Sequence, residues 1–247
     1  MIRPEWDAPR RVRAAFTLRQ GGVSQGAFES LNVGTHVGDS PAAVAENRRR
    51  VRETLALPDE PVWLSQAHGT HVVDLDVPPP GSAAAPAGDA AITRRSGRVC
   101  AIQVADCMPV LFADRDGTAI AAAHAGWRGL AAGVLEATVE ALRLPPERLS
   151  TWLGPAIGPA GFEVGDDVRD AFVRGGLDAA AAFVANERGR WQCDLAALAR
   201  GRLARLGVDS ISGGHWCTWS DASRFFSFRR DGRCGRMAAL IWMETGA

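Results

Sequence analysis

Apolar and polar positions divide the chain into short segments with two different periods. In "SPAAVAENRRRVRETLAL", Val44, Val51 and Leu55 form one stripe of a helix, with Ser40 as its cap and Pro41 in its first turn. Asn47 and Arg48 fall on the same face, and an arginine turned toward a core needs a partner. "VWLSQAHGTHVVDLD" is strand-like. "RVCAIQVADCMPVLFAD" and "TAIAAAHAG" predict a strand, a kink at Pro109 and, after the turn "DRDG", a returning strand. A helix follows from Leu130, with Leu130, Val134, Thr138 and Ala141 on one side, and then the strand-like "TWLGPAIGP". The last third holds the helical "DDVRDAFV" and "DLAALARGRLARLG", the second capped by Asp194, and closes on the apolar "RMAALIWM". Strands and helices interleave without regular alternation, which predicts an α+β fold of mixed β-sheets packed between helices. The low-complexity "VPPPGSAAAPAG", residues 77–88, reads as a loop excursion inside one domain covering residues 1–247.

Composition narrows the chemistry. Basic and acidic residues number 28 each, so no basic footprint for nucleic acid or an acidic membrane surface exists. Every basic residue is arginine and tyrosine is missing, which excludes a Schiff-base lysine, a phosphate-loop lysine and a tyrosine acid. The N-terminal stretch lacks the apolar core of a signal peptide and no apolar run is long enough to span a bilayer, so a cytoplasmic protein is expected. The cysteines, Cys100, Cys107, Cys193, Cys217 and Cys234, are odd in number and scattered, which in a reducing compartment favours free thiols or a metal ligand.

"GVSQG" matches the G-x-S-x-G pattern, but the loop-like "AFESLNVGTHVGD" replaces the helix that a nucleophile elbow at Ser24 requires. H-E-x-x-H, C-x-x-C, Walker and G-x-G-x-x-G patterns are missing, so a metal site must be assembled from distant segments. His68 in "SQAHGTH", Cys107 in "VADCMP" and His124 in "AHAGWRG" are the ligand types for zinc, and three protein ligands leave a fourth position open. The alternatives are a Cys107 nucleophile with His124 as base, or a core thiol and two hydrogen-bonded imidazoles. His71 and His215 are assigned surface or structural roles. A kink before Pro109 would let Asp106 serve as an outer partner that orients a ligand histidine.

In order, "TLRQGGVSQGAFESLNVGTHVGD", "ENRRRV", "WLSQAHGTHV", "GDAAIT", "VADCMPVLFAD", "AAHAGWRG", "WLGPAIGPAGFEVGDDV", "CTW" and "FFSFRRDGRCGRMAALI" run almost end to end. On these segments the chain resembles the family of peptidoglycan editing factors and purine nucleoside phosphorylases, long called laccase-like polyphenol oxidases. The resemblance implies Zn2+ held by His68, Cys107 and His124 as the catalytic centre. It implies phosphorolysis of adenosine, inosine, guanosine or 5′-methylthioadenosine to free base and ribose 1-phosphate, with adenosine deamination beside it. Phe162 stands where the family often has tyrosine and Cys234 where threonine is usual.

Arginine suits phosphate because its planar fork can bind phosphate oxygens in pairs, and Arg48, Arg128, Arg229 and Arg230 are the candidate ligands. The resemblance implies purine nucleosides and phosphate as partners, and the chain is expected to be a monomer or homodimer. Two other activities compete: copper-dependent phenol oxidation, for which five histidines are too few to build both a blue copper and a trinuclear site, and editing of a cell-wall precursor by hydrolysis.

Overall fold

A computed structural model describes residues 1–77, 85–174 and 179–245. The first half runs β1 (Val12–Phe16), α1 (Pro41–Leu55), β2 (Val62–Trp63), β3 (Val72–Asp74), β4 (Ala90–Thr93), β5 (Val99–Val104), β6 (Met108–Asp114) and β7 (Ile120–Ala125). It continues with α2 (Trp127–Ala132), α3 (Val134–Leu142), β8 (Leu149–Leu153), β9 (Glu163–Val164), α4 (Asp166–Val173), β10 (Phe183–Ala185) and β11 (Trp191–Cys193). The last elements are α5 (Leu195–Arg205), β12 (Ser210–Gly213), α6 (Phe228–Asp231) and β13 (Met237–Met243).

The expected α+β fold is what forms, as two mixed sheets between helical layers. One sheet has the order β12-β8-β6-β7-β4-β3, the other β1-β13-β5-β2, and β10-β11-β9 make a small third sheet. Alternating side chains assign each face. Leu111, Ala122 and Trp152 of the larger sheet meet Ile102, Ala239 and Ile241 of the smaller one across the sandwich. The opposite face of the larger sheet, with Val110, Phe112 and Ala121, packs against Leu135 and Val139 of α3 and Leu198 of α5. The outer face of the smaller sheet, with Ala101 and Leu240, receives Val51 and Leu55 of α1. Strands β6 and β7 are buried along their whole length, and the alanines of β7 let layers close in from both sides.

The helix from Ser40 forms as its pattern predicts, with the Ser40 hydroxyl accepting from Ala43 N. Asp194 caps α5 through Ala197 N. Three expectations need correction. "VWLSQAHGTHVVDLD" is not one strand: β2 and β3 flank a loop, residues 64–71, that carries His68. The break between β5 and β6 lies at Asp106, whose φ of 87° redirects the chain from one sheet to the other, while Pro109 sits inside β6. The helix expected from Leu130 begins at Trp127 and is interrupted at Gly133, whose φ of 101° suits glycine and ends α2 before α3 starts. Of the 77–88 excursion, residues 78–84 lie outside the described residues.

Candidate active site

Three neighbouring strands of the larger sheet end at one place. The register of β6 on β7 pairs Met108 with Ala125 and Pro109 with His124, so Cys107, one residue earlier, lies beside Gly126. The register of β4 on β7 pairs Ala90 with Ala123, which sets Asp89 against His124, and His124 N donates to Asp89 O at 2.7 Å. His124 shares the face of Ile120 and Ala122, so its ring enters the space between the two sheets at the sandwich's end.

The loop that brings His68 is tied to the same aspartate. The carboxylate of Asp89, 1% exposed, accepts from Ala67 N at 3.2 Å, His68 N at 2.9 Å and Gly69 N at 2.6 Å. It also bonds His124 Nδ1 at 2.9 Å, which leaves His124 Nε2 free. Gln66 clamps the loop to β5: its Nε2 donates to Gln103 O and its Oε1 accepts from Gln103 N, both at 2.8 Å. His68 itself holds a φ of 62°, uncommon for a residue with a Cβ and maintained here by these contacts.

The structure therefore brings His68, Cys107 and His124 together, with one donor atom from each within 4.8 Å of the others and Cys107 Sγ 3.7 Å from His68 Nε2. Such a His-Cys-His group can hold a metal ion. Glycine is required beside it: a Cβ on Gly126 would sit 2.8 Å from Cys107 Sγ and 2.9 Å from His68 Cδ2. The electrostatics are mutual. Burial opposes ionisation of the Cys107 thiol, but the imidazoles of His124 and His68 outweigh it and draw its pKa below the ordinary value. Burial likewise opposes the His124 imidazolium, while the Cys107 thiolate and Asp89 raise its pKa. Asp89 pays for burial too, yet the hydrogen bonds from His124, Gly69 and Ala67 hold its pKa below the usual carboxylate range.

The group opens into a cavity of about 780 Å³ that also reaches Arg48, Arg128, Arg229 and Arg236. Arg48 anchors its Nε on Val33 O at 2.9 Å and lies 4.1 Å over the Trp63 ring, which is the partner its helix face requires. Arg128 and Arg229 are exposed at the cavity wall, over Trp127 and Phe162 respectively. Arg230, expected as a phosphate ligand, is outside the lining. Its guanidinium is spent on Thr218 O, Trp219 O, Phe225 O and the Asp231 carboxylate, so it braces the loop before α6.

Asp106 also has a different task from the one expected. Its carboxylate accepts from Thr218 Oγ1 at 2.6 Å and Arg229 N at 2.7 Å, and its carbonyl accepts from Ile157 N at 2.9 Å. It fixes the chain next to Cys107 without touching a histidine of the group; Asp89 is the residue that orients His124. Ser24 is bonded to Asp39 and Asn47 beneath α1, as its loop-like context predicts. His215 stacks on Trp216, with ring centroids 3.6 Å apart. Asp89, His36 and Arg236 are the site residues that motif reasoning did not single out, although "GDAAIT", "GTHVGD" and "GRMAALI" contain them. Burial, followed by the guanidinium groups of Arg236 and Arg48, holds the His36 pKa below its ordinary value.

Residues 13–244 match the family described as multi-copper polyphenol oxidoreductase laccase. A purine nucleoside phosphorylase of Pseudomonas aeruginosa is 52% identical over 244 residues, covering 98% of both chains. The purine nucleoside phosphorylase YfiH of Escherichia coli K12 is 49% identical over 243 residues, again 98% of both. Among solved structures, Neisseria meningitidis protein NMB0706 superposes with a TM-score of 0.92 at 48% identity, covering 99% of both chains. YlmD from Geobacillus stearothermophilus gives 0.88 at 33% identity, covering 96% of this chain and 93% of its own. The chain thus belongs to the laccase-like family that those matches define, whose curated relatives carry the name purine nucleoside phosphorylase.

Proposed function

We propose that this chain is a zinc-dependent purine nucleoside phosphorylase with adenosine deaminase activity, acting in the cytoplasm. The observation that carries this reading is the His68–Cys107–His124 group opening onto a cavity with arginine edges on its wall. The donor set fits zinc in kind: bonds of about 2.3 Å to sulfur and 2.0 Å to nitrogen in a tetrahedron separate those donors by about 3.5 Å, against the 3.7 Å between Cys107 Sγ and His68 Nε2, with all three donors within 4.8 Å of one another. Zinc held by His68, Cys107 and His124 would supply a Lewis acid and a water molecule with its pKa lowered toward about 7.

The chain's own residues do the rest. Asp89 holds His124 by Nδ1 and keeps its Nε2 directed at the site. Arg48, fixed through Nε and by its stack on Trp63, presents its two terminal nitrogens to a phosphate near the anomeric carbon. Arg128 and Arg229 remain candidate anion contacts from the other side. Phosphorolysis needs the phosphate so placed; deamination would need, besides a water nucleophile, a proton for the departing amino group. Copper-dependent phenol oxidation loses support, because among the described residues His68, Cys107 and His124 are the only such group of donors. Hydrolytic editing of a cell-wall precursor keeps one supporting observation, the Cys107 thiolate beside its imidazoles.

Adenosine incubated with the metal-replete protein should yield adenine and ribose 1-phosphate only when phosphate is present, and inosine whether or not it is. Chromatography reads both products. Turnover of a serine-containing muropeptide precursor without either product would replace this reading with editing.

Gly126→Ala tests the metal geometry. Its backbone, at φ −65°, accepts any residue, so the added methyl acts only by steric pressure on Cys107 and His68. Zinc affinity is expected to fall about 10–100-fold, the range seen when ligand orientation is disturbed, as read by competition with a chromophoric chelator.

A further inference from the structure

Gln66 and Gln103 both border the cavity, and their carboxamides are used differently. Gln66 spends both ends on the backbone of Gln103, whose own side chain makes no hydrogen bond among the described residues. Gln103 is 6% exposed, and its Oε1 is shut away from solvent without a partner. Among the described lining residues it is the only side chain with a buried oxygen or nitrogen left unpaired. Burying an amide oxygen without a bond is unfavourable. The fully buried Asn47 avoids it, since its Oδ1 accepts from Val23 N while its Nδ2 donates to Ser24 Oγ and Asn32 O.

Packing alone would select an apolar residue at this position. Val99 and Ala101 of β5, and Ala238, which pairs with Gln103 from β13, belong to the layer that receives Val51 and Leu55 of α1. Side chains two apart on a strand share a face, so Gln103 extends that layer to its end. There Trp63, paired with Ala101, and Arg48 of α1 border the same cavity. A carboxamide offers an acceptor at one end and a donor at the other, and turning it about its last bond exchanges them. With its backbone clamped by Gln66 and neither end of its amide committed, Gln103 can present either group to a ligand.

We propose that Gln103 is the residue that reads the substituent at C6 of the purine. Its oxygen accepts from the 6-amino group of adenosine and, with the amide turned over, its nitrogen donates to the 6-oxo group of inosine or guanosine. A neutral residue that favours neither thus lets one site take both 6-amino and 6-oxo purine nucleosides. This assignment rests on the phosphorylase reading for its substrate.

Two variants of the metal-replete protein test this, with phosphate-dependent release of adenine and hypoxanthine followed by chromatography. Gln103→Met keeps the length of the side chain and suits the apolar layer, so it should fold. Its kcat/KM should fall about tenfold for adenosine and for inosine, the loss of one hydrogen bond to each. Purine riboside, which carries only hydrogen at C6, is the control, and its inhibition constant against adenosine should stay within about twofold, because it has no such bond to lose. Gln103→Glu keeps the shape, but an ionised carboxylate only accepts. It retains the amino group of adenosine and repels the 6-oxo group, so the adenosine-to-inosine ratio of kcat/KM should rise about tenfold or more. Purine riboside weakening in step with the two substrates, unchanged kcat/KM for both in Gln103→Met, or an unchanged ratio in Gln103→Glu would overturn the proposal. The wild type separates the two readings: phosphorolysis there with any of those results removes the role of Gln103 alone, whereas no phosphorolysis of any nucleoside removes the phosphorylase and this role with it.

Discussion

Cys107→Ala is expected to bring zinc content to background and to abolish adenosine phosphorolysis and deamination together. Cys107 contributes the single sulfur of the group, and its thiol is held toward the ionised form that a metal needs. Without it, two imidazoles remain, one of them bonded to Asp89. The fold should survive. Cys107 is only part-buried, and the backbone next to it is fixed independently by the Asp106 contacts to Thr218, Arg229 and Ile157. A metal that binds only the native state stabilises by linkage, so the variant should melt near the temperature of the metal-stripped wild type and below that of the loaded protein. Mass spectrometry of the native protein and product chromatography check both losses. Phosphorolysis persisting at the wild-type rate in the variant would rule out a metal mechanism through this group.

The ligand segments were legible because each has its own local chemistry: a histidine next to glycine, a cysteine at a strand break, a histidine ending an alanine strand. α1 was legible because a cap, a first-turn proline and a single stripe agree on one answer. The break at Asp106 was not, since a positive φ in an aspartate depends on long-range bonds to Thr218 and Arg229, more than a hundred residues away in sequence. The exchange between sheets that this break allows is likewise a tertiary event, and an alternating pattern reads the same whichever sheet a strand joins. Arg48 showed itself by being a charge on an apolar face. Arg230 and Arg229 are adjacent and identical, and only the carbonyls around Arg230 distinguish a brace from a wall residue.

Asp89 carries the second large expectation, since one buried carboxylate holds both the loop of His68 and the ring of His124. Asp89→Ala removes the acceptor for three backbone amides and an imidazole nitrogen at once. Breaking a buried charged contact of this sort costs about 3–5 kcal/mol, so a clear fall in melting temperature is expected. Asp89→Asn is the sharper test. It keeps the volume, but a carboxamide offers one acceptor oxygen and points a donor at groups that are donors themselves. His124 would then lose the partner that fixes its tautomer, and His68 would lose part of the clamp on its loop. Zinc affinity should drop about 10–100-fold, with turnover falling in proportion and partly restored by excess zinc. The pH dependence has a definite sign. Because the native Asp89 pKa is depressed, its contribution to stability is complete above the unfolded value of about 3.9. It is lost as pH falls through the lower native value. Wild-type and Asp89→Asn stabilities should therefore converge in acid and separate toward neutrality. Parallel curves across that range, with zinc affinity unchanged in the variant, would show that Asp89 neither holds the loop nor orients the ligand.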